Sequence, residues 1–140
     1  MFKQKLSIIA IVLCIVLLVT SIALAEDFKV ELNLFERLVI MGLLPQTGNF
    51  DTLKIVTEAN LMLGATDEES VMAGLEATPE GGVVAKYGWT IVPEKEFTFK
   101  ETLLSIIRDA LTALNEADPP ALTMEHYRVW EKFMEVEEEE

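Results

Sequence analysis

Beyond the uncharged residues 6–25, apolar side chains recur at helical spacing, first in residues 33–44. Asn33 and Glu36 form the pattern of an N-cap followed three residues later by a capping glutamate, which predicts the start of a first helix. A proline after Leu44 disfavours helical geometry in the residue before it, so this helix is expected to end there. A second apolar stretch, residues 50–63, is followed by a glycine and predicts a second helix.

Three further helices are predicted downstream. Thr66, with a glutamate three residues later, opens a short third helix that is expected to end near Leu75. Residues 100–115 have the cleanest helical periodicity in the chain and predict a fourth, core-facing helix. Thr123 caps a fifth helix that continues to Met134.

The stretch between the third and fourth helices has the composition of strands and turns. Residues 79–82 read Pro-Glu-Gly-Gly, a turn, and residues 83–92 are rich in β-branched and aromatic side chains. Phe97 and Phe99 then alternate with polar residues, as in a strand with one buried face. The predicted fold is therefore α+β and mostly helical, with about five helices and one small antiparallel β-hairpin, in a single domain over residues 26–134. The acidic residues 135–140 are predicted to form a disordered tail.

The N-terminus predicts export. Two lysines precede an apolar run at residues 6–25, and Ala23 and Ala25 fit the small-residue element of a signal peptide, with cleavage before Glu26. Without cleavage, the same run is long enough to span a membrane and would contact it as an anchor. Both interpretations of residues 1–25 place the rest of the chain outside the cytoplasmic membrane, secreted or tethered.

Charge narrows the range of partners. The chain has 11 Lys and Arg against 24 Asp and Glu, a net charge of −13, and loss of Lys3 and Lys5 with the leader leaves 9 against 24, or −15. The basic residues are scattered, and the third helix, which a winged helix would place on DNA, has none, so no nucleic-acid binding is predicted. The acidity indicates solubility, and the alternative is a cytosolic inhibitor that mimics nucleic acid.

The inventory of reactive side chains predicts no catalytic, cofactor-binding or metal-binding residue. His126 is the only histidine and lacks an identifiable orienting partner. Ser70 and Ser105 have no surrounding G-x-S-x-G turn, and Cys14, the one cysteine, lies in the leader. We therefore expect a protein that is not an enzyme, the alternative being a small hydrolase built on two carboxylates.

Aromatic residues are plentiful for so short a chain and suggest a contact surface for a partner protein. Most of them should be core at helical spacing. Trp89 and Tyr87 lie on the predicted hairpin and Trp130 on the last helix, and we predict these three as partner contacts.

Several motifs occur in a fixed order along residues 32–133. They are E-R-L-V-I-M-G-L-L-P at residues 36–45, G-N-F-D-T-L-K at 48–54, an E-E helix start at 68–69 and L-T-M-E-H at 122–126. This order resembles a pattern found in short uncharacterised proteins of tailed-phage and prophage genomes. The resemblance implies the order of elements, while that group has no established activity or site to carry over, and the export leader is a departure from it. Together these features predict a phage-type accessory protein that binds an unidentified protein at the cell envelope.

Overall fold

The structure, a computed structural model, describes residues 27–135. Its elements in chain order are β1 (Phe28–Leu32), α1 (Leu34–Leu43), α2 (Phe50–Leu63), α3 (Asp67–Ala73), β2 (Leu75–Ala77), β3 (Val83–Ala85), β4 (Lys95–Phe99), α4 (Glu101–Glu116) and α5 (Met124–Met134). The predicted leader, with Ala23, Ala25 and Glu26 at its expected cleavage point, and residues 136–140 of the predicted tail lie outside the described residues.

The predicted mostly helical α+β fold with about five helices is confirmed, since residues 27–135 contain five. Two of the helices begin with the predicted capping boxes: Asn33 Oδ1 accepts from the Glu36 backbone N–H at 2.8 Å, and Thr66 Oγ1 accepts from the Glu69 backbone N–H at 3.1 Å. Both glutamates return a hydrogen bond to the cap backbone. None of the helices within residues 27–135 has the length and apolarity needed to cross a membrane.

The predicted hairpin is wrong in its strands. The strand with Phe97 and Phe99 does not pair with the preceding segment but with β1, antiparallel, with Phe28 opposite Phe99 and Leu32 opposite Lys95. The segment 83–92 contributes only its first three residues to a strand, and these pair with β2 across the predicted Pro-Glu-Gly-Gly turn. The alternation of apolar and polar residues correctly predicted that Phe97 and Phe99 lie on a strand. The partner of this strand is β1, about seventy residues earlier in the chain, because the pairing of β1 with β4 completes the core.

The third helix ends slightly earlier than predicted. Gly74 adopts a left-handed conformation, with φ +64°, and its N–H bonds back to carbonyls of the last turn, so the helix ends at Ala73. Leu75 therefore starts β2 and does not belong to the helix.

The main core lies between the β1–β4 sheet and four helices. Phe97 and Phe99 bury the inner face of β4, as predicted, and Phe99 packs edge-on against Phe133 of α5 with ring centroids 5.2 Å apart. Ile107 and Leu111 bring the apolar face of α4 into the same cluster. This core contains residues of β1, α1, α2, β4, α4 and α5. It therefore fixes both the first and the last element of residues 27–135.

A second, smaller cluster fixes the β2–β3 hairpin and the loop after it. Leu34, Ala73 and Val92 are buried there, and Leu75 and Trp89 pack around them. This cluster holds the loop 86–94 against the beginning of α1.

Candidate functional site

An aromatic pair lies where the loop 86–94 meets the beginning of α1. The rings of Phe35 and Trp89 lie 5.3 Å apart between centroids and are tilted by 58°. Both side chains are half-buried. Cavities of about 640 Å³ and about 450 Å³ share Phe35, Trp89 and Glu125 in their walls. We call these two cavities together the aromatic groove.

The larger cavity combines apolar and acidic walls. Three carboxylates line it, those of Glu36, Glu94 and Glu125, against one guanidinium, that of Arg128. The other wall residues are Asn33, Phe35, Trp89, Thr90, Val92 and Met124. Such a surface can hold an apolar body that carries a hydrogen-bond donor or a positive charge.

The smaller cavity is formed chiefly by one face of α1. Phe35, Leu38, Val39 and Gly42 follow one another at positions i, i+3, i+4 and i+7 and so lie on one side of the helix. Leu34 and Ile40 face the two cores from another side. The helix α1 therefore has apolar side chains on more than one side. This is typical of a helix that packs against neighbours on several sides.

Glu36 is buried at the edge of the larger cavity, with 1% of its surface exposed. Its Oε2 accepts from Lys132 Nζ at 2.7 Å and from the Asn33 backbone N–H at 3.1 Å. Its Oε1 is buried and has no hydrogen-bond partner among the described residues. Buried carboxylate oxygens nearly always accept a hydrogen bond, so the lack of a donor at Glu36 Oε1 is exceptional.

Lys132 links the two carboxylates on its side of the groove. Besides Glu36, its Nζ donates to the Glu31 carbonyl at 2.7 Å and approaches Glu94 Oε1 at 3.5 Å. The ammonium group thereby ties α5 to β1 and α1, and it also orients the Glu36 carboxylate.

Arg37, the next residue, lines neither cavity of the groove, and every nitrogen of its side chain donates a hydrogen bond. It donates four hydrogen bonds: to the Leu63 carbonyl (2.9 Å), to the Gly64 carbonyl (2.7 Å) and to both oxygens of Glu69 (2.6 and 3.1 Å). Its guanidinium also stacks over the Phe97 ring at 5.1 Å from the centroid. The Arg37 hydrogen bond holds the pKa of Glu69 at about 2, far below the usual value, and this outweighs the opposing effect of burial.

The predicted contact residues occupy three different places. Trp89 lies in the aromatic groove. Tyr87 is 60% exposed beside Gly74, and Trp130 packs on the main core. Neither of these two lines the groove, and the structure instead joins Trp89 with Phe35, an aromatic residue of α1 that is not among the three predicted contacts. The i, i+3, i+4, i+7 stripe that starts at Phe35 is the signal that identifies this second face.

His126 has a local structural contact. Its Nδ1 accepts from the Thr123 backbone N–H at 3.0 Å, so the neutral ring carries its hydrogen on Nε2. The ring closes the first turn of α5 and also lines the smaller cavity. Within residues 27–135, no group of three or more His, Cys, Asp or Glu side chains is arranged to hold a metal ion.

A third cavity, of about 400 Å³, lies between α2 and the β4–α4 junction. Its charged walls are balanced, with Asp51 and Glu58 against Lys54 and Lys100. It lacks aromatic residues in its walls, so it offers less for recognition than the aromatic groove does.

Comparison of the chain with known protein families, with characterised sequences and with solved structures gives no match. The groove thus combines half-buried aromatic rings, two cavities and carboxylates at the wall, features that binding pockets commonly share.

Proposed function

We propose that this protein is a non-catalytic binding factor that docks a partner protein in the aromatic groove. The observation that carries the proposal is the Phe35–Trp89 pair flanked by two cavities. Large aromatic side chains in a partly desolvated pocket are the commonest energetic centres of protein interfaces.

The rim of the groove supports the same function. Met124 is 83% exposed at the edge of the larger cavity, and Val83 is exposed at the edge of the smaller one. A partner that covers them would remove apolar surface from water, at about 25 cal/mol for each Å². Methionine at such a rim also adapts its shape to the bound surface.

We further propose that the protein acts outside the cytoplasmic membrane, secreted or tethered, as an accessory factor of phage or prophage type. The support is the lysine-headed apolar run at residues 6–25 and the order of motifs along residues 32–133. The intact mass of the protein in each cell fraction tests the location: a soluble external species that begins at Glu26 indicates secretion, and full-length protein in the membrane indicates a tether. Full-length protein in the cytosol would contradict both.

Site-specific cross-linking tests the groove directly. A photoreactive residue replaces Met124 in one variant and Leu61 in another, in cells that express the chain with its leader. The two positions are matched, because both side chains are about four-fifths exposed, 83% and 81%, and only Met124 lines the groove.

The proposal predicts a cross-linked protein from position 124 that is absent from position 61. Binding of that protein, once purified, should weaken at least about tenfold when Trp89 is changed to Ala, since central aromatic residues contribute on the order of 2 kcal/mol. Equal cross-linking at both positions, or none at 124, would contradict docking in the groove.

One observation favours a second candidate, a hydrolase that uses two carboxylates. Glu36, Glu94 and Glu125 line one cavity, as such a reaction requires. However, Lys132 donates to both Glu36 and Glu94, whereas a glycosidase pair needs one carboxyl that gives a proton to the leaving group. Turnover of chromogenic glycosides that is abolished by Glu94→Gln and Glu125→Gln, and kept in Glu58→Gln, would favour the hydrolase over the binding factor.

A further inference from the structure

We infer that the larger cavity of the aromatic groove receives an arginine side chain of the partner, whose guanidinium donates to Glu36 Oε1. This inference rests on the proposed function, because it specifies the chemistry of the partner that docks in the groove. Three independent features support it: an unsatisfied buried oxygen, a missing positive charge and aromatic walls.

The unsatisfied oxygen is the first feature. Glu36 is held in place through Oε2 by Lys132 and by the Asn33 backbone, while Oε1 has no donor among the described residues. Leaving an oxygen of a buried carboxylate without a donor is unfavourable, so a donor that enters this cavity gains a strong, charge-assisted hydrogen bond. Oε1 itself is buried, so the inference requires a small rotation about the terminal torsion of Glu36, which is soft in glutamate, to bring this oxygen to the cavity.

The charge balance is the second feature. Glu36, Glu94 and Glu125 line the cavity with Arg128, and Lys132 adds one further cationic group at Glu36. Carboxylates therefore exceed cations by one, and a single positive side chain would neutralise the cavity. The net charge of −13 on the whole chain also steers a basic partner toward it.

The aromatic walls favour arginine over lysine. Phe35 and Trp89 provide flat apolar faces beside the carboxylates. A guanidinium is planar, less strongly hydrated than an ammonium group and able to stack on rings while it donates to several oxygens.

Titration with small amides, followed by NMR, tests the inference on the intact 140-residue chain kept in solution with a mild detergent. The probes are the N-acetyl amides of arginine, of citrulline, its neutral isostere, and of lysine. The signal is the indole N–H of Trp89, and Trp130, which packs on the main core, provides an internal reference.

The arginine amide should shift the Trp89 signal saturably, with a Kd on the order of 1 mM for a ligand of this size, and leave Trp130 unchanged. The citrulline amide should bind at least about tenfold more weakly, because it lacks the charge. Equal binding of the citrulline or lysine amide would overturn the assignment to arginine. Absence of a saturable shift with the arginine amide would also overturn it, and would mean that only water reaches Oε1.

Variants locate the site. Glu36→Gln should weaken arginine binding about tenfold or more, and Trp130 reports whether this variant keeps its fold. Glu125 is an exposed residue of the cavity wall, so Glu125→Gln should leave the fold unchanged and weaken arginine binding about threefold. Glu58→Gln removes the same charge outside the groove and should leave binding unchanged. Equal effects of the Glu125 and Glu58 variants would mean that only the overall charge acts, and the inference would fail.

The two experiments separate the two proposals. If a partner is cross-linked from position 124 but the arginine amide does not bind, the docking proposal stands and the arginine assignment is overturned. Arginine binding without any cross-linked partner overturns the docking proposal and, with it, the assignment of the arginine to a partner.

Discussion

Glu36 and Arg37 are neighbours in α1 and are equally buried, each with 1% of its surface exposed, but their charges are satisfied to different extents. Arg37 lies in a closed junction, where two backbone carbonyls and both oxygens of Glu69 accept its hydrogen bonds. Glu36 borders a cavity, and only one of its oxygens has partners among the described residues.

The difference separates the closed junction of Arg37 from the Glu36–Lys132 pair, which borders the groove and which we call the receptive pair because the proposal above assigns a ligand to it. The Arg37 junction ties α1 to the end of α2 and the start of α3, and it offers no donor or acceptor for a ligand. The Glu36 pair ties α1 to α5 through Lys132, whose side chain is 23% exposed. A fully satisfied polar network rigidifies a fold, whereas an unsatisfied buried oxygen is unfavourable, and the proposal above assigns its missing donor to a partner.

The largest expected effect comes from breaking the closed junction. Arg37→Met removes four hydrogen bonds and leaves two carbonyls and Glu69 without their cation. We expect the free energy of unfolding to fall by about 3–5 kcal/mol, as for other buried pairs that lose one partner. Urea unfolding followed by tryptophan fluorescence measures this loss, and a loss under about 1 kcal/mol would show that the junction is not structural.

The receptive pair should be less costly to break. Lys132→Met leaves Glu36 with the Asn33 N–H as its remaining donor, but the Lys132 side chain is 23% exposed, so this pair lies nearer to water than the Arg37 guanidinium, which is 1% exposed. The expected loss in the free energy of unfolding is about 2 kcal/mol, within the range for an unsatisfied buried polar group. If the same urea experiment gave a loss as large as that of Arg37→Met, the contrast between the two pairs would be wrong.

The fold was predictable where the signals are local. The capping boxes at Asn33 and Thr66 and the glycine after α2 define helix ends within the chain itself, and these ends were predicted closely. The strand pairing was not predictable, because β4 bonds to β1 about seventy residues earlier in the chain and its register depends on core packing. The pattern Phe-Lys-Val-Glu-Leu in β1 alternates as a strand should, and this was the overlooked signal.

The site was predictable only in part for the same reason. Trp89 was expected at a contact surface, but its companion Phe35 lies more than fifty residues earlier and meets it only in the folded chain. The motifs at Glu36-Arg37 and Glu68-Glu69 likewise proved to contain partners in the two buried pairs, since Glu69 binds Arg37 and Glu36 binds Lys132. Sequence shows that such charges exist, but burial and pairing are properties of the fold.

Acid should weaken the closed junction in a defined range of pH. The pKa of Glu69 is about 2 in the folded protein, below its ordinary value of 4.5, so the carboxylate contributes stability that is present above pH 4.5 and lost as the pH falls toward 2. Glu69→Gln should cost about 1–2 kcal/mol in the free energy of unfolding at pH 7. This difference from the unchanged protein should shrink between pH 4.5 and pH 2 in urea titrations at each pH. A constant difference across that range would show that Glu69 stabilises the fold without its charge.

The smallest effect is expected at the outer edge of the receptive pair and sharpens its functional meaning. Glu94 is exposed and lies 3.5 Å from Lys132, a distance and setting in which an ion pair contributes little. Glu94→Gln should therefore change the free energy of unfolding by less than about 0.5 kcal/mol, measured in the same urea experiment. A much larger loss would mean that Glu94 belongs to the structural network, and the carboxylates of the larger cavity would then serve mainly to hold α5 in place. With stability unchanged, any loss of binding in this variant reports on the cavity itself, because the fold that presents Glu36 and Trp89 is intact.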